Sequence, residues 1–146
     1  MTEKAVIHVI DDDDAVRQSL AFLLSTVGYE VEEHPSARAF ANGPLAAVNA
    51  SAGCIITDVR MPDMTGIELL ELIQQRGLTV PVIVITGHGD VPLAVAAMKL
   101  GAADFLEKPF DDVAILDTVK SALERGRAVG PLLLYGHWCS CSISTV

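Results

Sequence analysis

Ala52-Gly-Cys-Ile-Ile-Thr-Asp-Val-Arg-Met-Pro-Asp63 decides how the rest of the chain is read. Cys54-Ile-Ile-Thr57 is a short, apolar, β-branched run of the kind that forms a buried strand. Asp58 stands at its C-terminal end. Met61-Pro-Asp-Met-Thr-Gly66 then supplies Pro, Asp and Gly for a turn. Open α/β sheets keep their ligands and chemistry outside the carboxyl ends of the strands, which is where this reading puts Asp58. The plain alternative for a lone Asp at that place is a cap for the next helix.

Working upstream, Ala5-Val-Ile-His-Val-Ile10 is a continuous apolar run, as expected of a central parallel strand covered on both faces. His8 inside it reads as a core or supporting residue rather than a ligand. Asp11-Asp-Asp-Asp14 follows. Four successive carboxylates repel one another unless positive charge sits among them. A helix start accounts for one or two of them, Asp13 or Asp14, because Asp is favoured at the N-cap and in the first turn. It does not account for the cluster. Val16, Leu20, Leu23, Leu24 and Val27 have helical spacing, and Gly28 is a good stop. Tyr29-Glu-Val-Glu-Glu33 alternates, which predicts an edge strand. Pro35-Ser36 opens a weak helix with Ala37, Phe40 and Ala41 on one face, interrupted by Asn42-Gly43-Pro44. Ala50-Ser-Ala-Gly53 reads as loop.

Downstream, Ile67, Leu69, Leu70, Leu72 and Ile73 predict a third helix ending at Gly77. Val80-Pro-Val-Ile-Val-Ile85 predicts another buried strand, leading into the small-residue loop Thr86-Gly-His-Gly-Asp90. An Ala-rich helix over Val91 to Leu100 is stopped by Gly101. Asp104-Phe-Leu-Glu107 is a short strand before Lys108-Pro109. Val113, Ile115, Leu116, Val119 and Leu123 mark a last helix to about Arg127. Strand and helix thus alternate five times with short connections. That implies an α/β fold with a five-stranded parallel sheet, a doubly wound three-layer sandwich of flavodoxin-like order 2-1-3-4-5.

Bulk properties narrow the function. The chain has 146 residues, a net charge of −9 and 51% hydrophobic residues. One domain with a real core is expected. The negative charge argues against nucleic-acid binding by this chain alone. No apolar run reaches the roughly 18 residues of a membrane helix. Met1-Thr-Glu-Lys4 leads straight into a strand without a signal-peptide pattern, so a cytoplasmic location and no membrane partner are expected. The three Cys residues imply no disulfide framework.

In the proposed strand order, the strand ends bring Asp11, Asp12, Asp58, Thr86 and Lys108 to one edge of the sheet. Carboxylates hold Mg²⁺ through oxygen ligands. A carboxylate can also act as a nucleophile and form an aspartyl-phosphate. Lys108 can pair with a phosphate oxygen, and Thr86 can donate a hydrogen bond to one. The set is a kit for phosphoryl transfer with the metal neutralising charge.

The segments Val9-Ile-Asp-Asp-Asp13, Thr57-Asp-Val-Arg-Met-Pro-Asp-Met-Thr-Gly66, Ile83-Val-Ile-Thr-Gly-His-Gly-Asp90 and Gly101-Ala-Ala-Asp-Phe-Leu-Glu-Lys-Pro-Phe110 closely resemble the receiver domains of bacterial two-component response regulators, the CheY-like fold. The similarity runs from about Lys4 to Arg127. Met-Pro-Asp-Met-Thr-Gly and Thr-Gly-His-Gly-Asp-Val-Pro look most like the FixJ-type regulators, whose receiver precedes a LuxR-type helix-turn-helix. The resemblance implies that Asp58 is the phospho-acceptor, supplied by a sensor histidine kinase. It implies Mg²⁺ held by Asp11, Asp12, Asp58 and the backbone carbonyl of Arg60. It makes Thr86 the switch hydroxyl, Lys108 the phosphate-binding lysine and Phe105 the switch aromatic, although an ordinary core role for Phe105 is equally open. It also implies a commonly cis Lys108-Pro109 bond. On phosphorylation it implies a homodimer through the fourth helix (Val91–Leu100) and the fifth strand (Asp104–Glu107).

The expected domain organisation is a receiver over residues 4–127 and an atypical tail over 128–146, with the output domain absent. The tail, Pro131-Leu-Leu-Leu-Tyr-Gly-His-Trp-Cys-Ser-Cys-Ser-Ile-Ser-Thr-Val146, matches no usual linker. His137, Cys139 and Cys141 in it match no standard zinc spacing. Two other functions compete. Asp11-Asp12-Asp13 contains the Asp-x-Asp spacing of haloacid-dehalogenase-like phosphatases, which would make Asp11 the nucleophile, but that reading leaves Asp58 unused. A degenerate receiver serving only protein contacts does not need the complete set of acceptor, metal and lysine residues.

Overall fold

The structure is a computed structural model that describes residues 6–43, 53–87 and 89–134, with side chains described as far as Glu124. The elements run β1 (Val6–Ile10), α1 (Asp14–Thr26), β2 (Glu30–His34), α2 (Ala37–Asn42), β3 (Gly53–Asp58), α3 (Gly66–Gln75), β4 (Val82–Thr86), α4 (Val91–Lys99), β5 (Asp104–Glu107) and α5 (Asp112–Leu134). The strands form one sheet in the order β2-β1-β3-β4-β5, and every pairing is parallel. The acidic strand β2 lies at the edge, as its alternation predicts. Every residue of β3 and β4 is buried, as continuous apolar strands in the centre of a parallel sheet require.

The alternation of side chains along each strand divides the core in two. On one face Ile10, Ile55 and Val84 meet Phe40 of α2, Leu69 and Ile73 of α3 and Ala97 of α4. On the other, Ile7, Val9, Ile56, Ile83 and Ile85 meet Leu20 and Leu24 of α1 and Ile115 and Val119 of α5. Each fully buried aliphatic side chain of this kind stabilises the fold by roughly 1.5–3 kcal/mol.

Element ends follow local chemistry. Asp13 caps α1, accepting hydrogen bonds from the amides of Ala15 and Val16. Thr65 and Glu68 close a reciprocal capping box at the start of α3, an arrangement contributing about 1 kcal/mol. Several boundaries differ from the sequence reading, among them those of β2, β3, β4 and α5. The strand β2 starts at Glu30, because the Tyr29 amide still bonds back to Leu24 at the end of α1, after Gly28 at φ +100°. The strand β3 includes Asp58 as its last residue. The strand β4 starts at Val82, since Pro81 has no N–H for the ladder, although the Pro81 carbonyl accepts from Ile55. Helix α5 continues beyond Arg127 to Leu134. His137, Cys139 and Cys141 lie outside the described residues. Among those residues no helix is long and apolar enough to cross a membrane.

Candidate functional site

The carboxyl ends of β1, β3, β4 and β5 carry Asp11, Asp58, Thr86 and Lys108 to one edge of the sheet, as their spacing predicts. Oxygen atoms of Asp11, Asp12 and Asp58 lie within 4.8 Å of one another. Asp11 is 1% exposed and Asp58 9%, whereas Asp12 is open to solvent. Lys108 supplies the countercharge. Its Nζ donates to Oδ2 of Asp58 at 3.2 Å and stands 4.0 Å from Oδ2 of Asp11. The lysine is aimed partly by its own main chain, whose amide donates to the Thr86 carbonyl at 2.8 Å. The Lys108-Pro109 peptide is cis, as the resemblance implies.

The four consecutive aspartates have separate roles. Asp11 lines the pocket and accepts the Asp13 amide at 2.9 Å. Asp12 faces solvent beside the pocket, and Asp13 caps α1. Asp14 pairs with Arg17 at 2.7 Å. Burial, moderated by the Asp13 amide and reinforced by the negative charge of Asp58, pushes the Asp11 carboxyl up from 3.8 to about 6. Among the described residues its Oδ2 is a buried oxygen without a hydrogen-bond partner. A desolvated acceptor facing two further carboxylates suits a hard dication that takes oxygen ligands. The donor set therefore fits Mg²⁺, and these acidic residues could hold it.

The Thr86 hydroxyl donates to the Leu106 carbonyl at 3.4 Å, on the neighbouring strand. Phe105 is 36% exposed, so its side chain is not part of the core. Arg60 makes a contact that the sequence reading missed. Arg60 forks onto Asp90, Nε to Oδ2 at 2.8 Å and Nη2 to Oδ1 at 3.0 Å, while its amide reaches toward Oδ1 of Asp58 at 3.4 Å. Asp90 occupies the N-cap position of α4 but makes no side-chain cap bond, its carboxylate being taken by Arg60. The Gly89 amide donates to Glu107 at 3.1 Å, tying the same loop to β5. Two further supports were missed. Buried Arg17 donates to the Asp11 carbonyl at 2.9 Å, while the i,i+3 spacing signals only its pairing with Asp14. Gly66 packs so closely that a Cβ there would lie 2.5 Å from the Asp58 carbonyl oxygen.

A family model described as the response regulator receiver domain matches residues 7–120. The chain belongs to the response regulator receiver family. The receiver is 59% identical over 130 residues to the transcriptional regulatory protein FixJ of Azorhizobium caulinodans, covering 89% of this chain and 60% of that protein. It is 50% identical over 125 residues to FixJ of Rhizobium meliloti, covering 85% and 59%. Among solved structures it resembles a crystal structure of FixJ-N, with TM-score 0.76 and 48% identity over 84% of this chain and 96% of that one. It also resembles full-length FixJ from B. japonicum, with TM-score 0.81 and 46% identity over 89% and 63%. The receiver thus spans about three-fifths of the length of these FixJ relatives. It is of the FixJ type, and the phosphatase alternative built on Asp11 is not favoured.

Proposed function

We propose that Asp58 is the phosphoryl acceptor of this receiver, taking its phosphoryl group from a phosphohistidine on a sensor histidine kinase. The observation that carries this is the grip of Lys108 on a carboxylate that ends the central strand, next to an acid pair with a buried oxygen that has no hydrogen-bond partner among the described residues. In the transfer, an Asp58 carboxylate oxygen attacks phosphorus. The P–O bond forms as the P–N bond breaks, and the imidazole leaves with the bonding pair. Mg²⁺, when held by Asp11, Asp12, Asp58 and the Arg60 carbonyl, supplies positive charge to the phosphoryl oxygens. Lys108 exchanges its Asp58 partner for a phosphoryl oxygen. Water later cleaves the acyl phosphate in the same pocket, and small phosphodonors load it slowly. A cytoplasmic location accompanies this role.

Output follows from the Thr86 hydroxyl. Its 3.4 Å bond to Leu106 is long, and a phosphoryl oxygen is a stronger acceptor. Moving toward Asp58, Thr86 vacates space that Phe105 fills. Val91, Val95 and Met98 on α4 are 52%, 48% and 40% exposed, forming an apolar strip beside Phe105. Closing Phe105 inward completes a surface on which a second receiver docks through α4 and β5. A DNA-binding region outside this chain, as in the longer FixJ proteins, is the device so controlled.

Asp58→Asn tests the assignment. Acid-labile labelling by acetyl phosphate should vanish in the variant. Undiminished labelling, or a labelled peptide carrying Asp11 instead, refutes it.

A further inference from the structure

The edge of the sheet away from β5 carries a second set of donor atoms. His8 on β1 and His34 at the end of β2 place Nδ1 and Nε2 3.2 Å apart. Oε1 of Glu32 lies 3.7 Å from the same Nδ1. One donor atom from each of the three residues falls within 4.8 Å of the other two. An ion bound tetrahedrally at about 2.0–2.2 Å from N and O donors separates them by about 3.3–3.5 Å. The two measured separations bracket that edge length.

We infer that His8, Glu32 and His34 form a cation site for Zn²⁺, or a divalent ion of the same donor preference, separate from the acidic pocket. The ring of Phe40 packs on both imidazoles, at 5.2 and 4.8 Å between centroids, and fixes their orientation. An apolar wall of this kind also limits water at a metal site. Burial lowers His8 and takes His34 down to about 4, so both rings are neutral near pH 7, the state in which imidazole ligates. The Glu32 side chain is 53% exposed, so the cluster is open to solvent on that side. The register that pairs His8 with Glu32 places the carboxylate on the same face as the two rings. The site is linked to the pocket through the main chain, because the Asp11 amide donates to the His34 carbonyl at 3.2 Å. An ion there clamps β1 to β2 next to the residue that begins the acidic cluster.

The test titrates Zn²⁺ into the full chain against a chromophoric chelator, with saturating Mg²⁺ present to fill the acidic pocket. Wild type and Cys139→Ser/Cys141→Ser should each bind one equivalent with the same affinity. Glu32→Gln, a change at an exposed position, should weaken binding by roughly tenfold or more. The ring nitrogen resonances of His8 and His34 should shift on Zn²⁺ addition in the wild type. Equal affinity in Glu32→Gln, loss of binding in the cysteine double variant, no binding by the wild type, or unmoved ring resonances each overturn the site. None of these results depends on Asp58 being the acceptor.

Discussion

Lys108 bridges two acids unequally, 3.2 Å from Asp58 and 4.0 Å from Asp11. One ammonium therefore serves as the local countercharge of the pocket. Lys108→Ala removes the one ammonium that pairs with Asp58 and Asp11. Mg²⁺ should bind more tightly to the variant, since a dication no longer competes with the lysine. Labelling by acetyl phosphate should slow by on the order of a hundredfold, as expected on losing a preorganised positive group. Mg²⁺-dependent melting and phosphoryl incorporation, measured on the same sample, check both halves.

Asp11 makes the pocket pH-sensitive. Its folded-state pKa of about 6 lies above the ordinary value of 3.8, so the folded protein binds the proton more tightly than the unfolded chain. The stabilisation from that proton is complete below about pH 4 and is lost as the pH rises through about 6. Mg²⁺ needs the carboxylate, so its apparent affinity should fall as the pH drops through 6. Without Mg²⁺ at pH 7.5, Asp11→Asn should raise stability by on the order of 1–3 kcal/mol, because it removes a desolvated charge facing another. Urea melts across pH 4.5–8, with and without Mg²⁺, read both effects. An Asn variant less stable than wild type in chelator would contradict the electrostatic account.

The Arg60–Asp90 fork is exposed, so little global stability should depend on it. Its effect is local. Asp90→Asn should leave the melting temperature close to wild type while amide exchange quickens at Gly89 and in the first turn of α4, and Arg60→Ala should match it. Unchanged exchange in both variants would mean that the fork does not hold the loop.

Val95 lies near the centre of the exposed strip on α4. Sedimentation of wild type should show a mass near one chain without phosphodonor and near two with beryllofluoride and Mg²⁺. Val95→Glu puts a charge where an apolar contact is proposed and should abolish the heavier species without weakening phosphodonor labelling. An intact activated dimer in the variant would place the interface elsewhere.

The fold was legible because each apolar strand is followed by a helix with its own stop. In such a sheet the residues after strands 1, 3, 4 and 5 must share an edge. Asp11, Asp58, Thr86 and Lys108 were found that way, without any knowledge of their side-chain directions. Strand ends were less legible. Tyr29 has strand chemistry but completes the C-terminal turn of α1, and Gly130-Pro131 does not halt α5 despite its helix-breaking composition. The Arg60–Asp90 contact spans 30 positions and joins two loops, so no periodicity announces it. The His8–Glu32–His34 group was invisible for a related reason. His8 sits in a continuous apolar run, Glu32 in an alternating strand and His34 just past that strand's predicted end, and only the register pairing His8 with Glu32 brings them together.

Arg60 divides its labour between main chain and side chain. The peptide backbone belongs to the acid cluster, while the guanidinium reaches across to the start of α4. Any residue except proline keeps both backbone groups at position 60, so the amide contact to Asp58 does not depend on the arginine side chain. What does depend on it is how firmly the β4–α4 loop is held at rest. A substitution at position 60 would therefore change the hold on this loop while leaving the side chains of Asp11, Asp12, Asp58 and Lys108 in place.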